Sequence, residues 1–311
     1  MHVSETQKDP ALEEHPLPEN PEPGSLNRKI GPIPQASEPQ RSPAPPVLQV
    51  RSLSSSYQQP ASRLLQRKTR KAVLHEIDLE INEGEVFGLV GESGCGKTTL
   101  GKALLGLISF QGQVLIDGED VAQHGRGGRA HKLQAVFQNP ASALNPARKV
   151  GWLLEEPLRI HGWSRARRAA RVAEVLDLIG LDASLCSRRA RELSGGQKQR
   201  VCIGCALVLQ PRLIIADEAT SALDVSVGAQ ILNLFSKLNR ELGLSMLFIS
   251  HNLEVVHYLC DRIAVMYQGQ IVEQGEARQL YLAPQHPYTR ALLEAIPNIE
   301  QRDFDYREVC I

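Results

Sequence analysis

The chain has 311 residues, a length that suits one large domain or two modest ones, and its 35 basic side chains balance its 35 acidic ones. This balance gives no indication of a nucleic-acid partner, which would favour an excess of positive charge. The six cysteines show no paired spacing typical of a disulfide framework, which fits a reducing compartment. No apolar run approaches the roughly 18 residues that cross a bilayer, and no apolar signal core is visible at the N-terminus. We therefore expect neither a membrane span nor a signal peptide.

Residues 1–46 differ in composition from the rest of the chain. They hold eleven of the nineteen prolines, with polar residues between them and few bulky apolar side chains. Such a segment buries too little surface to offset the entropy it loses on ordering. We therefore predict a disordered proline-rich arm. An unselected extension is the simpler interpretation, and a docking role is the alternative.

From residue 47 onward, the spacing of apolar residues predicts strands that alternate with helices, which is the pattern of an α/β fold. A basic insertion at 63–71 separates the first two predicted strands, and residues 139–200 have a helical, arginine-rich pattern. The predicted strands lie at 47–50, 72–81, 85–90, 113–116, 133–138, 212–218 and 246–251, followed by a hairpin around Gln268 and Gly269. The predicted helices include one from Lys97 to Leu107, one after an N-cap at Ser164 with an apolar face from Val172 to Ile179, and one from Ile231 to Leu242.

A glycine-rich segment joins the strand at 85–90 to the helix at Lys97 and fits the phosphate-binding pattern G-x-x-x-x-G-K-[ST] at every fixed position. In such a loop, backbone N–H groups and the N-terminus of the helix converge on an anion. Lys97 is predicted to reach the β- and γ-phosphates of ATP, and the Thr98 hydroxyl to bind Mg²⁺. The nucleotide-binding residues predicted here, which we call the phosphate loop, are Gly91, Glu92, Ser93, Gly94, Cys95, Gly96, Lys97, Thr98 and the adjoining Thr99.

Two acidic residues close another apolar strand. Asp217 ends the strand, which places its carboxylate at the carboxyl edge of the sheet beside the phosphate loop. We expect it to hold Mg²⁺ through water, because hard oxygen ligands suit that ion. Glu218 follows at once and points in a different direction, so it is the candidate for the residue that orients or deprotonates the attacking water.

The segment Leu193-Ser194-Gly195-Gly196-Gln197 opens a further predicted helix, whose N-terminus forms a second potential anion site. It resembles the signature motif of the ATP-binding subunits of ABC transporters, and this resemblance extends over residues 47–297. The resemblance implies a P-loop, RecA-like ATPase core with an antiparallel β subdomain and an α-helical signature subdomain. It also implies that Ser194, Gly195, Gly196 and Gln197 contact the nucleotide held by the opposite subunit, so that each ATP lies between two chains.

Further positions match other motifs of that family. Gln138 resembles the Q-loop glutamine, which implies contact with Mg²⁺ and a link between the helical subdomain and the core. Ser221-Ala222-Leu223-Asp224 resembles the D-loop, which crosses the dimer interface. His251 resembles the switch histidine that contacts the γ-phosphate, and Tyr57 matches the aromatic residue that stacks on adenine. The chain departs from the pattern at Ala219, where most relatives carry proline.

Composition and the resemblance together imply the division of the chain into domains. The proline-rich arm covers 1–46 and the ABC ATPase domain 47–275, with its helical subdomain at about 139–200. The C-terminal extension at 276–311 is of the oligopeptide-transporter type.

Three short segments resemble the oligopeptide and dipeptide importers, a group that includes nickel and metallophore importers: Val136–Pro140, Ala143–Pro146 and His286–Leu293. Some of these relatives carry a cysteine cluster for an iron–sulfur centre after the third segment. In this sequence only Cys310 follows the His286–Leu293 segment, and one cysteine cannot hold a centre that needs four ligands. The resemblance is therefore to the cluster-free type.

The implied function is ATP hydrolysis that drives an importer from the cytoplasmic face of the inner membrane, with ATP and Mg²⁺ as cofactors. The implied partners are a second ATPase subunit in a heterodimer, two permease subunits and, indirectly, an extracytoplasmic solute-binding protein. Peptide is the first expected substrate, and nickel or a metallophore is the alternative. A soluble ABC ATPase with no transport role ranks lower, because the sequence carries neither tandem cassettes nor a long coiled-coil insertion.

Overall fold

The computed structural model describes residues 46–58, 70–121 and 126–295; for 57–58, 70–71 and 126–128 it describes the backbone. The predicted disordered arm at 1–46 lies outside the described residues except for Pro46, which begins the first strand. The predicted basic insertion at 63–71 also lies outside them except for Arg70 and Lys71, whose backbone begins the second strand instead of a loop.

The ten described strands form two sheets. In chain order they are β1 (Pro46–Gln58), β2 (Arg70–Asn82), β3 (Val86–Val90), β4 (Gln111–Ile116), β5 (Glu119–Asp120), β6 (Leu133–Phe137), β7 (Leu213–Asp217), β8 (Ser245–Ile249), β9 (Arg262–Tyr267) and β10 (Gln270–Glu276). The α-helices of the described residues are α1 (Lys97–Leu104), α2 (Arg126–Lys132), α3 (Pro140–Ala143), α4 (Val150–Ile160), α5 (Arg165–Leu178), α6 (Gly195–Leu207), α7 (Val225–Leu242), α8 (Leu253–Leu259), α9 (Ala277–Leu282) and α10 (Pro287–Glu294). Among the described residues, no helix has the length and apolar character needed to cross a membrane.

The larger sheet has six strands in the order β10-β9-β3-β8-β7-β6, and all its pairs are parallel except β9 with β10. Every residue of β3, β7 and β8 is buried, as expected for central strands covered on both faces. Because these strands are parallel, their carboxyl ends share one edge of the sheet. The phosphate loop, Glu218 and His251 all follow strand ends at this edge, which confirms the predicted α/β core.

The smaller sheet is antiparallel, with the order β2-β1-β4-β5. Its strands β1 and β2 are longer than the sequence pattern predicts, and several register shifts interrupt their pairing. Buried residues of this sheet, including Leu53 and Leu74, share one hydrophobic cluster with Leu100 and Leu104 of α1. The antiparallel subdomain thus packs against the helix that begins at the phosphate loop.

Helices α3 to α6 occupy the arginine-rich region and carry the signature segment. The Ser164 hydroxyl accepts the N–H of Arg167 and caps α5, as predicted. The predicted apolar face from Val172 to Ile179 is buried. Arg171 is also buried, and its guanidinium donates to the carbonyl oxygens of Leu207 and Val208 at the C-terminal end of α6, where positive charge stabilises a helix.

The prediction for α1 is wrong at its C-terminal end. The helix ends at Leu104, and Leu107 is 59% exposed instead of lying on the buried face. Gly106 has φ +70°, and the N–H of Leu107 reaches back to the carbonyl of Lys102, a glycine-terminated helix end. The glycine stops the helix, and the residues beyond it lose the helical spacing.

Candidate nucleotide-binding site

The phosphate loop bends around the ammonium group of its own lysine. Lys97 is only 5% exposed, and its Nζ donates to the carbonyl oxygens of Gly91 at 2.7 Å and Glu92 at 2.9 Å. Gly91 has φ +149°, and a Cβ there would lie 2.1 Å from the carbonyl oxygen of Met266, so only glycine fits. Glu92, Ser93, Gly94 and Thr98 are exposed, which leaves one face of the loop open to a ligand.

The turn between β9 and β10 contacts the phosphate loop and supports it. The N–H of Gly269 donates to the carbonyl of Cys95 at 2.9 Å. The Cys95 thiol is buried, and burial raises its pKa although the nearby Lys97 works in the opposite direction. Cys95 is therefore a protonated packing group at neutral pH. The predicted hairpin at Gln268 and Gly269 is confirmed, and its turn lies against the phosphate loop.

Thr98 and Asp217 meet at the carboxyl edge of the sheet. The Thr98 hydroxyl donates to Oδ1 of Asp217 at 3.2 Å. Asp217 is 7% exposed, and burial raises the pKa of its carboxyl while the hydrogen bond from Thr98 partly opposes the shift. A hydroxyl and a carboxylate at this separation are the hard oxygen ligands that Mg²⁺ prefers, so the residues present fit that ion. Thr99 follows on the first turn of α1 and is partly buried.

Glu218 follows Asp217 with a different backbone direction. Its φ is +49°, and its N–H donates to the carbonyl of Ile249 at the end of β8. This left-handed conformation is uncommon for residues with a side chain and is typical of functional positions. Oε1 of Glu218 lies 3.2 Å from Nδ1 of His251, which stands just beyond the end of β8 rather than within that strand. The structure therefore brings the predicted water-activating acid and the predicted γ-phosphate sensor into contact.

Gln138 joins the same network. Phe137 pairs with Asp217 across β6 and β7, so Gln138 leaves the sheet beside the Thr98–Asp217 pair. Its Nε2 donates to the Ser221 hydroxyl at 3.0 Å, and that hydroxyl donates to the carbonyl of Glu218 at 3.0 Å. The predicted Q-loop residue and the predicted D-loop are thus linked to the backbone of Glu218.

The signature segment forms a separate structure. The Ser194 hydroxyl accepts the N–H of Gln197 at 3.2 Å, and Oε1 of Gln197 accepts the N–H of Ser194 at 3.1 Å, which caps α6. A Cβ on Gly196 would lie 2.7 Å from Val227, and one on Gly195 would lie 3.7 Å from Leu223. Within the described residues, no hydrogen bond joins this segment to the phosphate loop; it packs against the D-loop and the start of α7. Asp224 caps that helix by accepting the N–H of Val227.

Two contacts of the site lie outside the sequence-based prediction. The Tyr288 hydroxyl accepts the N–H of Glu92 at 3.0 Å, although 196 residues separate the two positions. Gln199, which is fully buried, donates from Nε2 to the carbonyl of Ala219 at 2.8 Å. The position of Gln199 on α6, shortly after the signature segment, is a sequence signal that could have indicated its contact. No local pattern indicates the contact of Tyr288. The adenine-stacking prediction for Tyr57 concerns a side chain outside the described residues.

The fold and this cluster of groups define a P-loop ATPase, and known proteins share the fold. The ABC transporter family matches residues 74–221, and the family described as the C-terminal region of oligopeptide/dipeptide transporters matches residues 272–308. A solved dimeric structure of the ATP-binding cassette MJ0796, in a post-hydrolysis state with ADP and Pi, superposes with a TM-score of 0.64 and 28% identity over 74% of this chain and 99% of that one.

Curated relatives extend over most of the chain. A putative peptide import ATP-binding protein of Brucella ovis is 45% identical over 258 residues, which cover 81% of this chain and 79% of the relative. The glutathione import ATP-binding protein GsiA of Pectobacterium atrosepticum is 44% identical over 276 residues, which cover 87% of this chain but only 44% of that longer protein. The chain belongs to the ATP-binding subunits of ABC transporters, and as an ABC ATPase it binds and hydrolyses ATP.

Proposed function

We propose that this chain is the energy-coupling subunit of an ABC importer for dipeptides or oligopeptides. The observation that carries the peptide assignment is the match of residues 272–308 to the C-terminal region of oligopeptide/dipeptide transporters. The peptide import name of the Brucella ovis relative supports it. In this proposal, the ATPase domain covers 47–275, with its helical subdomain at about 139–200, and the extension begins at 276.

The phosphate loop holds the nucleotide. Lys97 and the N-terminus of α1 provide positive charge for the β- and γ-phosphates. Thr98, Asp217 and Gln138 are the residues that would hold Mg²⁺, which when bound neutralises the charge on the phosphates. We assign the stacking of adenine to Tyr57.

Hydrolysis requires a base beside the γ-phosphate. Glu218 fills this role: its carboxylate accepts a proton from the attacking water. His251 lies 3.2 Å from that carboxylate and keeps it in one orientation at the edge of the sheet. We assign contact with the γ-phosphate to the same histidine. The bonds from Gln138 to Ser221 and from Ser221 to the backbone carbonyl of Glu218 hold the main chain of the base in place.

A second cassette completes the site. Ser194 and Gly195 are exposed, and the signature segment packs against the D-loop, which leaves its helix N-terminus available to a nucleotide on another chain. The dimeric cassette MJ0796, which is similar to this chain, supports such an assembly. We propose a heterodimer with a second ATPase subunit that drives two permease subunits, peripheral to the cytoplasmic face of the inner membrane. A solute-binding protein delivers the peptide on the opposite side.

The Lys97→Ala substitution tests the nucleotide site. It removes two charge-assisted hydrogen bonds and the cation expected at the phosphates, so we expect ATP affinity to fall by at least about 100-fold. Equilibrium titration with ATP and Mg²⁺ measures this change. The matched control is Lys237→Ala on α7, whose side chain is half exposed and pairs with Glu241. Equal ATP affinity in the two variants would contradict the assignment.

Uptake by cells tests the substrate. In a strain that carries the complete transporter, Glu218→Gln is expected to stop accumulation of labelled dipeptides or oligopeptides, because the base is lost while the assembly remains. Uptake of labelled nickel is measured in the same strain. If nickel uptake depends on Glu218 and peptide uptake does not, the importer is a nickel or metallophore system.

A further inference from the structure

In the part of the C-terminal extension that the structure describes, residues 276–295, a tyrosine side chain contacts the phosphate loop. Tyr288, the second residue of α10, accepts the N–H of Glu92 through its hydroxyl at 3.0 Å. Partial burial raises the pKa of Tyr288, so its hydroxyl is a neutral phenol at physiological pH. The contact therefore joins an element next to β10 with the loop that precedes α1, and it does so at the exposed end of that loop.

The bonded N–H belongs to the peptide unit that also holds the lysine. The N–H of Glu92 and the carbonyl of Gly91 are the two ends of one planar amide, and that carbonyl accepts from Nζ of Lys97 at 2.7 Å. A rotation of this amide would break both hydrogen bonds at once. Tyr288 is thus two hydrogen bonds from the Lys97 ammonium, and hydrogen bonds in such a chain polarise and strengthen one another.

The rest of the extension holds Tyr288 in place. The ring of Tyr288 packs on the ring of Tyr267, with the centroids 4.2 Å apart. Tyr267 ends β9, next to the turn that contacts the phosphate loop. The carboxylate of Glu273 in β10 accepts the N–H groups of Gln285 and His286, which fixes the start of α10. The tyrosine hydroxyl is therefore presented to the loop by an ordered support.

We propose that Tyr288 is a positioning residue for the phosphate loop, which orients the Gly91–Glu92 amide and through it the ammonium of Lys97 toward the β- and γ-phosphates. The proposal rests on the nucleotide site assigned above. It gives the C-terminal extension a role in ATP binding, in addition to marking the type of transporter. Within the described part of the chain, the Tyr288 side chain contacts Glu92 and Tyr267 and not Glu218, so it acts on affinity rather than on the chemical step.

The Tyr288→Phe substitution tests this role, because it keeps the ring and its packing while removing the acceptor. We expect the affinity for ATP and ADP to fall by about 2- to 10-fold, the effect of one net hydrogen bond. Affinity for AMP stays unchanged, because it lacks the phosphates that Lys97 binds. In the assembled transporter KM for ATP rises while kcat stays within about 2-fold, and the melting temperature is unchanged.

The matched control is Tyr267→Phe, the other ring of the same pair, whose hydroxyl accepts from Gln268 and not from the loop. We expect wild-type affinities for this variant. In a Lys97→Ala background, Tyr288→Phe should have no further effect, because the two residues act in series.

Equal ATP affinity in wild-type protein and Tyr288→Phe would overturn the proposal, as would equal losses for AMP and ATP or a full additional loss in the Lys97→Ala background. If the wild-type protein itself fails to bind ATP, the proposed nucleotide site is wrong, and the role of Tyr288 falls with it.

Discussion

The phosphate-loop region and the signature region both lie at helix N-termini, yet they differ in the burial and hydrogen bonding of their polar groups. Around the phosphate loop, Lys97 and Asp217 are almost completely buried and find their partners within this chain. In the signature region, Ser194 and Gln197 satisfy each other at the surface, and Val225 at the start of the neighbouring α7 is 88% exposed. The first region is a complete half-site, whereas the second has the chemistry of an anion site without a pocket in its own chain. The comparison supports the proposed division of the nucleotide site between two chains.

The largest expected effect concerns the complete half-site. Glu218→Gln keeps the size of the side chain but removes the proton acceptor, so we expect hydrolysis to fall by about 10²- to 10⁴-fold. Binding of ATP persists, because Lys97, Thr98 and Asp217 are unchanged. Phosphate release measured beside ATP titration separates the two effects. In the proposed heterodimer the partner cassette has its own base, so both subunits need the equivalent substitution. Wild-type turnover in that doubly substituted complex would show that Glu218 is not the base.

The signature region gives an intermediate effect. Ser194→Ala removes the cap of α6 and the hydroxyl offered to the opposite nucleotide, and we expect ATP hydrolysis by the assembled complex to fall by roughly 10-fold, about the contribution of one charge-assisted hydrogen bond. ATP affinity of the isolated subunit stays at the wild-type value, because its own phosphate loop is intact. Replacing the N-cap serine by alanine lowers the free energy of unfolding by about 1 kcal/mol.

Ser164→Ala is the matched control for this experiment, because Ser164 caps α5 by the same type of hydrogen bond. It should lower stability by a similar amount and leave hydrolysis unchanged. If the two variants reduce hydrolysis equally, the effect of Ser194 is one of folding, and the comparison between the two regions fails.

The smallest effect is a change in stability. Burial raises the pKa of Asp217 in the folded protein. Ionisation of this carboxyl therefore lowers the free energy of unfolding at pH values above the pKa of aspartate in the unfolded chain, about 3.9. Asp217→Asn removes that charge and keeps the oxygen that accepts from Thr98. We expect the metal-free variant to melt about 2 °C higher at neutral pH, with the advantage lost as the pH falls below about 4. Scanning calorimetry measures this shift. A lower melting temperature at neutral pH would mean that the ionised carboxylate stabilises the fold.

Local patterns in the sequence predict most of the core and of the nucleotide site. The strand, glycine loop and helix around Lys97 are consecutive, and their apolar spacing is sufficient to place them. The predicted C-terminal end of α1 is wrong because the apolar spacing of Leu107 extends the helical pattern past Gly106, whose positive φ ends the helix. The left-handed backbone of Glu218 has no signature in residue type.

The contacts between distant segments are the part that the sequence does not predict. Tyr288 meets Glu92 only because β9, β10 and α10 fold back beside the phosphate loop. Gln199 meets the carbonyl of Ala219 because α6 passes beside the end of β7. Both partners are backbone groups, which carry no residue-specific signal, so only the folded chain reveals these bonds.

The central claim is that two cassettes share each ATP, and the oligomeric state of the Glu218→Gln protein tests it most directly. The chain is purified with its partner ATPase subunit, both carrying the equivalent substitution, and its mass is measured by light scattering after size exclusion. Since ATP binds most tightly to the closed pair and is not hydrolysed, mass action predicts a dimer with ATP and Mg²⁺ and separate subunits with ADP. If the subunits bind ATP fully and still elute as monomers, the site is not shared between two chains.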